Sequence, residues 1–161
     1  MIQTILLEDQ EDLAEIIRDS LSDHGIEVHW YQRPSDFVRA VLRASERRGP
    51  FFKVALVDFH LYDPETMREV PFTGEDVVRM LRGFVPSMEF ISIASSSPPK
   101  SFRQLVRHHL ESLAFRECNS YLAGRHVARW IYELSGERWI ADKVRRPVQV
   151  PSPEPVAPVT V

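Results

Sequence analysis

Apolar positions along the chain fall into short continuous runs separated by stretches with a three-and-four spacing. "TILL" (Thr4 to Leu7) is the first run, and Leu13, Ile16, Ile17 and Leu21 come next at helical intervals until Gly25 stops them. This reads as strand, then helix. "IEVHWY" from Ile26 predicts a second strand; Pro34 and Ser35 then open a helix with Phe37, Val38, Val41 and Leu42 on one face, closed by "RRGP". "FKVALVD" predicts a third strand ending on Asp58, "GEDVVRMLR" a third helix and "EFISIA" a fourth strand. From Pro98, the spacing of Phe102, Leu105, Val106, Leu110 and Leu113 predicts a long fourth helix, then "SYLA" as a short fifth strand and "HVARWIYEL" as a fifth helix.

Strict alternation of strands and helices predicts an α/β protein: a doubly wound, five-stranded parallel sheet covered by helices on both faces. Residues 1–140 make one domain on this reading. The segment 141–161 differs in kind, with prolines at 147, 151, 153, 155 and 158 and no helical or alternating pattern. It reads as an extended, polyproline-like tail outside the core.

Composition narrows the classes of function. At 161 residues and 43% hydrophobic, the chain can bury one core but not two ordinary ones. The net charge is −3, from 20 basic and 23 acidic residues mixed along the chain, so no general field favours nucleic acid or an anionic membrane. Cys118 is the single cysteine and cannot form an internal disulfide, and no apolar run has the length of a membrane span. A reducing cytoplasm is the expected setting.

The chemistry concentrates where strands end. In an open parallel sheet the carboxyl ends of the strands share one edge, and ligands bind there. Glu8 and Asp9 end strand one and Asp58 ends strand three. Three carboxylates on one edge repel unless a cation sits among them, and an all-oxygen set suits a hard ion such as Mg²⁺. Taken singly, each has another use. Adjacent acids also suit the start of a helix, and an aspartate at a strand end also suits a turn.

Together, "ILLEDQEDL", "VALVDFHLYDP" and "GEDVVRMLR" resemble the receiver domain of bacterial two-component response regulators, over roughly Met1 to Leu134. The resemblance implies the (βα)5 flavodoxin-like fold, with Mg²⁺ held by Glu8, Asp9, Asp58 and the backbone carbonyl of His60. It implies that Asp58 accepts a phosphoryl group from a sensor histidine kinase or phosphotransfer protein, a carboxylate acting as nucleophile.

The sequence also departs from the receiver pattern. Gly74 lies 16 positions after Asp58, much further than receivers place their glycine, so "DPETMREVPF" (63–72) carries an insertion that should overhang the site. Receivers end strand four with a Ser or Thr whose hydroxyl meets the phosphoryl group; "ISIASSS" offers Ser95 for that position, with Ser96 beside it, or Ala94 in the other register. Strand five of a receiver ends on a lysine. In "NSYLAGRH" Gly124 stands there, leaving Arg125 one position over, Lys100 at the start of helix four, or Arg116 if "LAFRE" is the true strand; arginine's planar fork does not simply replace lysine. Tyr121 fits the aromatic switch position, Arg103 with Arg107 to His109 reads as a basic helix edge, and Trp130 and Trp139 read as packing residues.

Two functional readings are open at this point. In one, the chain is a stand-alone phosphoacceptor that signals by contact with a downstream protein, with helix four, strand five and helix five as its homodimer face. In the other, the missing lysine and the long loop make it a phosphorylation-independent interaction module. A phosphohydrolase of the haloacid-dehalogenase type would need a second aspartate where His60 stands. No turnover enzyme, membrane partner or DNA-binding output domain is expected, since the segment after Leu134 is short and proline-rich.

Overall fold

The computed structural model describes residues 1–46, 52–95, 97–117 and 119–139. The proline-rich 141–161, the "RRGP" helix stop, Ser96 and Cys118 lie outside the described residues, and the expected boundary at 140 falls at their edge. Five strands form one parallel sheet in the order β2-β1-β3-β4-β5. They are β1 (Ile2–Leu7), β2 (Ile26–Tyr31), β3 (Val54–Val57), β4 (Glu89–Ala94) and β5 (His108–Glu111). The helices are α1 (Glu11–Ser22), α2 (Pro34–Glu46), α3 (Gly74–Phe84), α4 (Lys100–Arg103), α5 (Leu113–Arg116) and α6 (Ser120–Leu134).

Central strands are buried on both faces, which explains why they read as continuous apolar runs rather than alternating ones. On one face Leu7, Val57 and Phe90 pack against Phe37 of α2, Val78 and Leu81 of α3 and Phe102 of α4. On the other, Leu6, Leu56 and Ile91 pack against Leu13, Ile17 and Leu21 of α1 and Val127 and Ile131 of α6. Burying each such side chain contributes about 1.5–3 kcal/mol. The expected doubly wound sandwich is what forms.

The final third differs from the expected assignment. The long fourth helix is a single turn, and "HHLE" within its predicted span is β5, paired Ile91 to His108 through Ala94 to Glu111. The reason lies in where its apolar residues go: Phe102 and Val106 enter the core under α2 and α3, Leu110 packs on the opposite core, and Leu113 is 45% exposed. A three-four spacing whose members serve two faces is not one helical stripe. "SYLA" is not a strand either; it begins α6, because the Asn119 side chain accepts hydrogen bonds from the amides of Tyr121 and Leu122 and caps the helix. Gly124 lets α6 approach α1, since a Cβ there would stand 2.7 Å from Ser20 Cβ.

Candidate acidic site

The carboxyl edge of β1 and β3 carries the site. The backbone runs straight from buried strand into acid: the Asp58 amide donates to the Leu7 carbonyl at 3.1 Å, and the Glu8 amide to the Tyr31 carbonyl at 3.2 Å. Strand pairing therefore fixes where both carboxylates start. Glu8, Asp9 and Asp58 each offer a carboxylate oxygen to one cluster, with these oxygens all within 4.8 Å of one another. Glu8 is 1% exposed and Asp58 7% exposed.

Few protein groups neutralise them. Glu8 Oε1 accepts from the Gln10 amide at 3.1 Å and Asp9 Oδ2 from the Tyr62 amide at 3.2 Å. Glu8 Oε2 and Asp58 Oδ1 are buried with no partner among the described residues. Burial first, then the neighbouring charge of Asp58, pushes the Glu8 carboxyl up to about 10. Burial first, then Asp9, pushes Asp58 up to about 8, although the amides of Phe59 and His60 pull the other way. Buried, clustered acids with orphaned oxygens fit a hard divalent cation.

The sequence gives no sign of the frame around the cluster. Trp30 Nε1 donates to the Glu8 carbonyl at 2.8 Å and Gln32 Nε2 to the Asp9 carbonyl at 2.9 Å, so the end of β2 holds the loop that carries the acidic pair. No local motif marks these residues; only the parallel register brings Leu7 level with Tyr31.

The inserted loop folds on itself. Tyr62 and Glu69 form an antiparallel bridge, the Val70 amide donates to the Leu61 carbonyl at 2.8 Å, and Asp63 Oδ1 accepts from the amides of Glu65 and Thr66. It is tethered by Arg33 to Glu65 at 2.7 Å and by His60 Nδ1 to Glu69 at 3.0 Å. The His60 imidazole therefore faces the loop.

Of the remaining candidates, Ser95 is exposed immediately after β4, whereas Ala94 is buried in the core with Phe59 and Phe102. Lys100 is exposed at the start of α4. Arg125 is corrected: it lies on α6, and its charge acts on His24 in the turn before β2. That turn adjoins the amino end of β1, where the Ile2 amide donates to the Gly25 carbonyl, so Arg125 faces the edge opposite Asp58. Tyr121 likewise packs on His24, with ring centroids 5.0 Å apart. The pair "HH" sits on β5, not on a helix: His108 stacks on Trp130 at 4.6 Å, and His109 Nδ1 lies 2.9 Å from Ser92 Oγ.

β5 ends on Glu111, so an acid closes this strand. Arg116, on α5 rather than on a strand, comes to the rim instead. Its guanidinium donates to both carboxylate oxygens of Asp12, at 2.7 and 3.2 Å, and to Gln10 Oε1 at 2.6 Å, and it feels the charge of Glu8.

No family sequence model matches the chain, and none of the curated proteins matches it in sequence. Among solved structures it is similar to a CheY-like response regulator receiver domain protein from Methanospirillum hungatei JF-1, with a TM-score of 0.61 and 12% identity, covering 84% of this chain and 98% of that one. A CheY-like receiver domain from Methylobacillus flagellatus matches with a TM-score of 0.60 and 18% identity over 81% and 98% of the two chains. The response regulator TrrA from Thermotoga maritima, solved in complex with Mg(2+)-BeF, gives 0.59 and 12% over 80% and 98%. The chain has the CheY-like receiver fold. Among the described residues no helix is long and apolar enough to cross a membrane.

Proposed function

We propose that this chain is a receiver whose Asp58 accepts a phosphoryl group from a histidine kinase or phosphotransfer protein and which signals through protein contact. The reading rests on one observation: Glu8, Asp9 and Asp58 converge within 4.8 Å at the sheet's carboxyl edge, with buried oxygens that lack partners among the described residues. Mg²⁺ would be held by these carboxylates and the His60 carbonyl, and it would supply the positive charge that lets an anionic donor approach.

The protein's own part in the chemistry is placement. An Asp58 carboxylate oxygen attacks phosphorus, the phosphorus–nitrogen bond of the donor phosphohistidine breaks, and its electron pair returns to the donor imidazole. The Phe59 and His60 amides favour the ionised Asp58 that this attack needs. Ser95 is the proposed hydroxyl partner of the phosphoryl group. Arg116, already at the rim, is the proposed cation in place of lysine, reached by releasing Asp12. The product is a signalling state rather than a turnover reaction, in a soluble cytoplasmic protein. The face of α4, β5 and α6 is the proposed homodimer surface.

A second reading, a phosphorylation-independent interaction module, is favoured by Glu111 at the end of β5. One experiment separates them: incubation with a small phosphodonor in Mg²⁺, then intact mass, for the parent and Asp58→Asn. A single phosphoryl adduct on the parent alone supports the first reading; none on either supports the second.

A further inference from the structure

The inserted loop and the proline-rich segment are the two sequence features that the acidic site leaves without a role. The loop forms one wall of a groove of about 410 Å³, and the start of α2 forms the other. Pro34, Val38, Tyr62, Val70, Phe72 and Met80 give it a largely apolar lining. An open cleft with aromatic walls and few charges is the kind of surface that takes polyproline-type segments, whose preformed backbone loses little entropy on docking.

We infer that this groove is the docking site of the chain's own segment from Pro151 to Pro158, "PSPEPVAP". That segment carries one charge, Glu154, in eight residues, matching a lining with little charge to satisfy. Arg33 at the groove edge is the complementary cation, and its exposed pair with Glu65 is of the weak, exchangeable kind.

Geometry permits the connection. Trp139 is fixed beside Tyr132 at 5.1 Å and His24 at 5.8 Å, on the α1 and α6 face at the amino edge. The groove lies at the carboxyl edge on the α2 and α3 face. Passing around the sandwich, two layer spacings near 10 Å each, and running the length of a six-residue strand at about 3.3 Å per residue takes roughly 40 Å. The 12 positions from Trp139 to Pro151 set a maximum reach of roughly 40–43 Å at about 3.3–3.6 Å each.

A tail seated there touches the machinery of the site. Tyr62 and Gln32 both line the groove, and both hydrogen-bond Asp9. Docking therefore holds the backbone that carries one of the acidic residues, whether or not Asp58 accepts phosphate.

The test uses the full chain carrying Cys118→Ser and Val156→Cys, with a nitroxide on the new thiol, at concentrations low enough to suppress contacts between molecules. The expected result is loss of the amide signals of Tyr62, Asp63 and Val38, restored by Met80→Asp, an exposed substitution that charges the groove and leaves the remaining spectrum in place. Three results would overturn the inference: no broadening in the groove, broadening confined to another surface, or broadening of unlabelled isotope-enriched molecules mixed with labelled ones, which would mark a second copy's tail as the occupant.

Discussion

Gly74 packs directly on the backbone of Asp58: a Cβ at Gly74 would collide with the Asp58 carbonyl oxygen, and the Gly74 amide donates to the Phe59 carbonyl at 2.9 Å. The first residue of α3 thereby seats the central acid of the site, and the Thr73–Asp76 capping box fixes the helix start that delivers it. Gly74→Ala must move one backbone or the other. It should cost about 1–3 kcal/mol in denaturant unfolding, as overpacked sites do, and should weaken divalent cation binding as well. Unchanged unfolding and unchanged binding would show that the contact does not position Asp58.

The acidic cluster makes stability depend on pH. Glu8 and Asp58 have folded-state values raised to about 10 and about 8, from ordinary values of 4.5 and 3.8. The protonated forms are therefore favoured by the fold. Their contribution is fully present below about pH 4 and is lost as pH rises through 8 and then 10. Without a divalent cation, the urea midpoint should fall between about pH 6 and 10, and Glu8→Gln should flatten that fall. Added Mg²⁺ should raise the midpoint more at about pH 8 than at about pH 6, because it binds the ionised carboxylates and displaces their protons. Equal effects at the two values would mean that protons and cation do not compete.

Arg116 separates stability from function. Its pair with Asp12 is largely exposed, so Arg116→Ala should change unfolding stability by less than about 1 kcal/mol. Its charge is felt by Glu8, so the same substitution should tighten Mg²⁺ binding while slowing phosphoryl acceptance from a small donor. Lys100→Ala should do neither. Slower acceptance in the lysine variant alone would move the cationic role to α4.

Asn119→Ala tests the start of α6. Loss of this cap should cost about 1 kcal/mol, since two amides in the first turn lose their acceptor. Hydrogen exchange should rise first in residues 121–124 and leave β5 unchanged. Exchange protection alternating along those residues would instead make "SYLA" a strand.

How far the sequence could be read depended on where each apolar residue finishes. For β1, β3 and β4, runs such as "VALV" are buried on both faces, so continuity alone marks them. Glu8, Asp9 and Asp58 were legible because a strand's end fixes a side chain's position to within one residue. Strand five was not, because His108 and His109 are half-buried edge residues that carry no apolar run, while Leu105 and Leu110 imitate a helical stripe. The signal for α6 in the sequence is Asn119, an N-cap residue type directly before "SYLA". Arg116 is a candidate in the sequence only as the end of a strand; its contacts with Asp12 and Gln10, more than a hundred positions away, come from the fold.

The most direct test of the central claim is an Mg²⁺ titration monitored at the indole N–H of Trp30, which donates to the Glu8 carbonyl. A saturable shift in the parent, weakened at least tenfold in Glu8→Gln and in Asp58→Asn, is the predicted result. No shift in the parent, or an identical one in both variants, would contradict it.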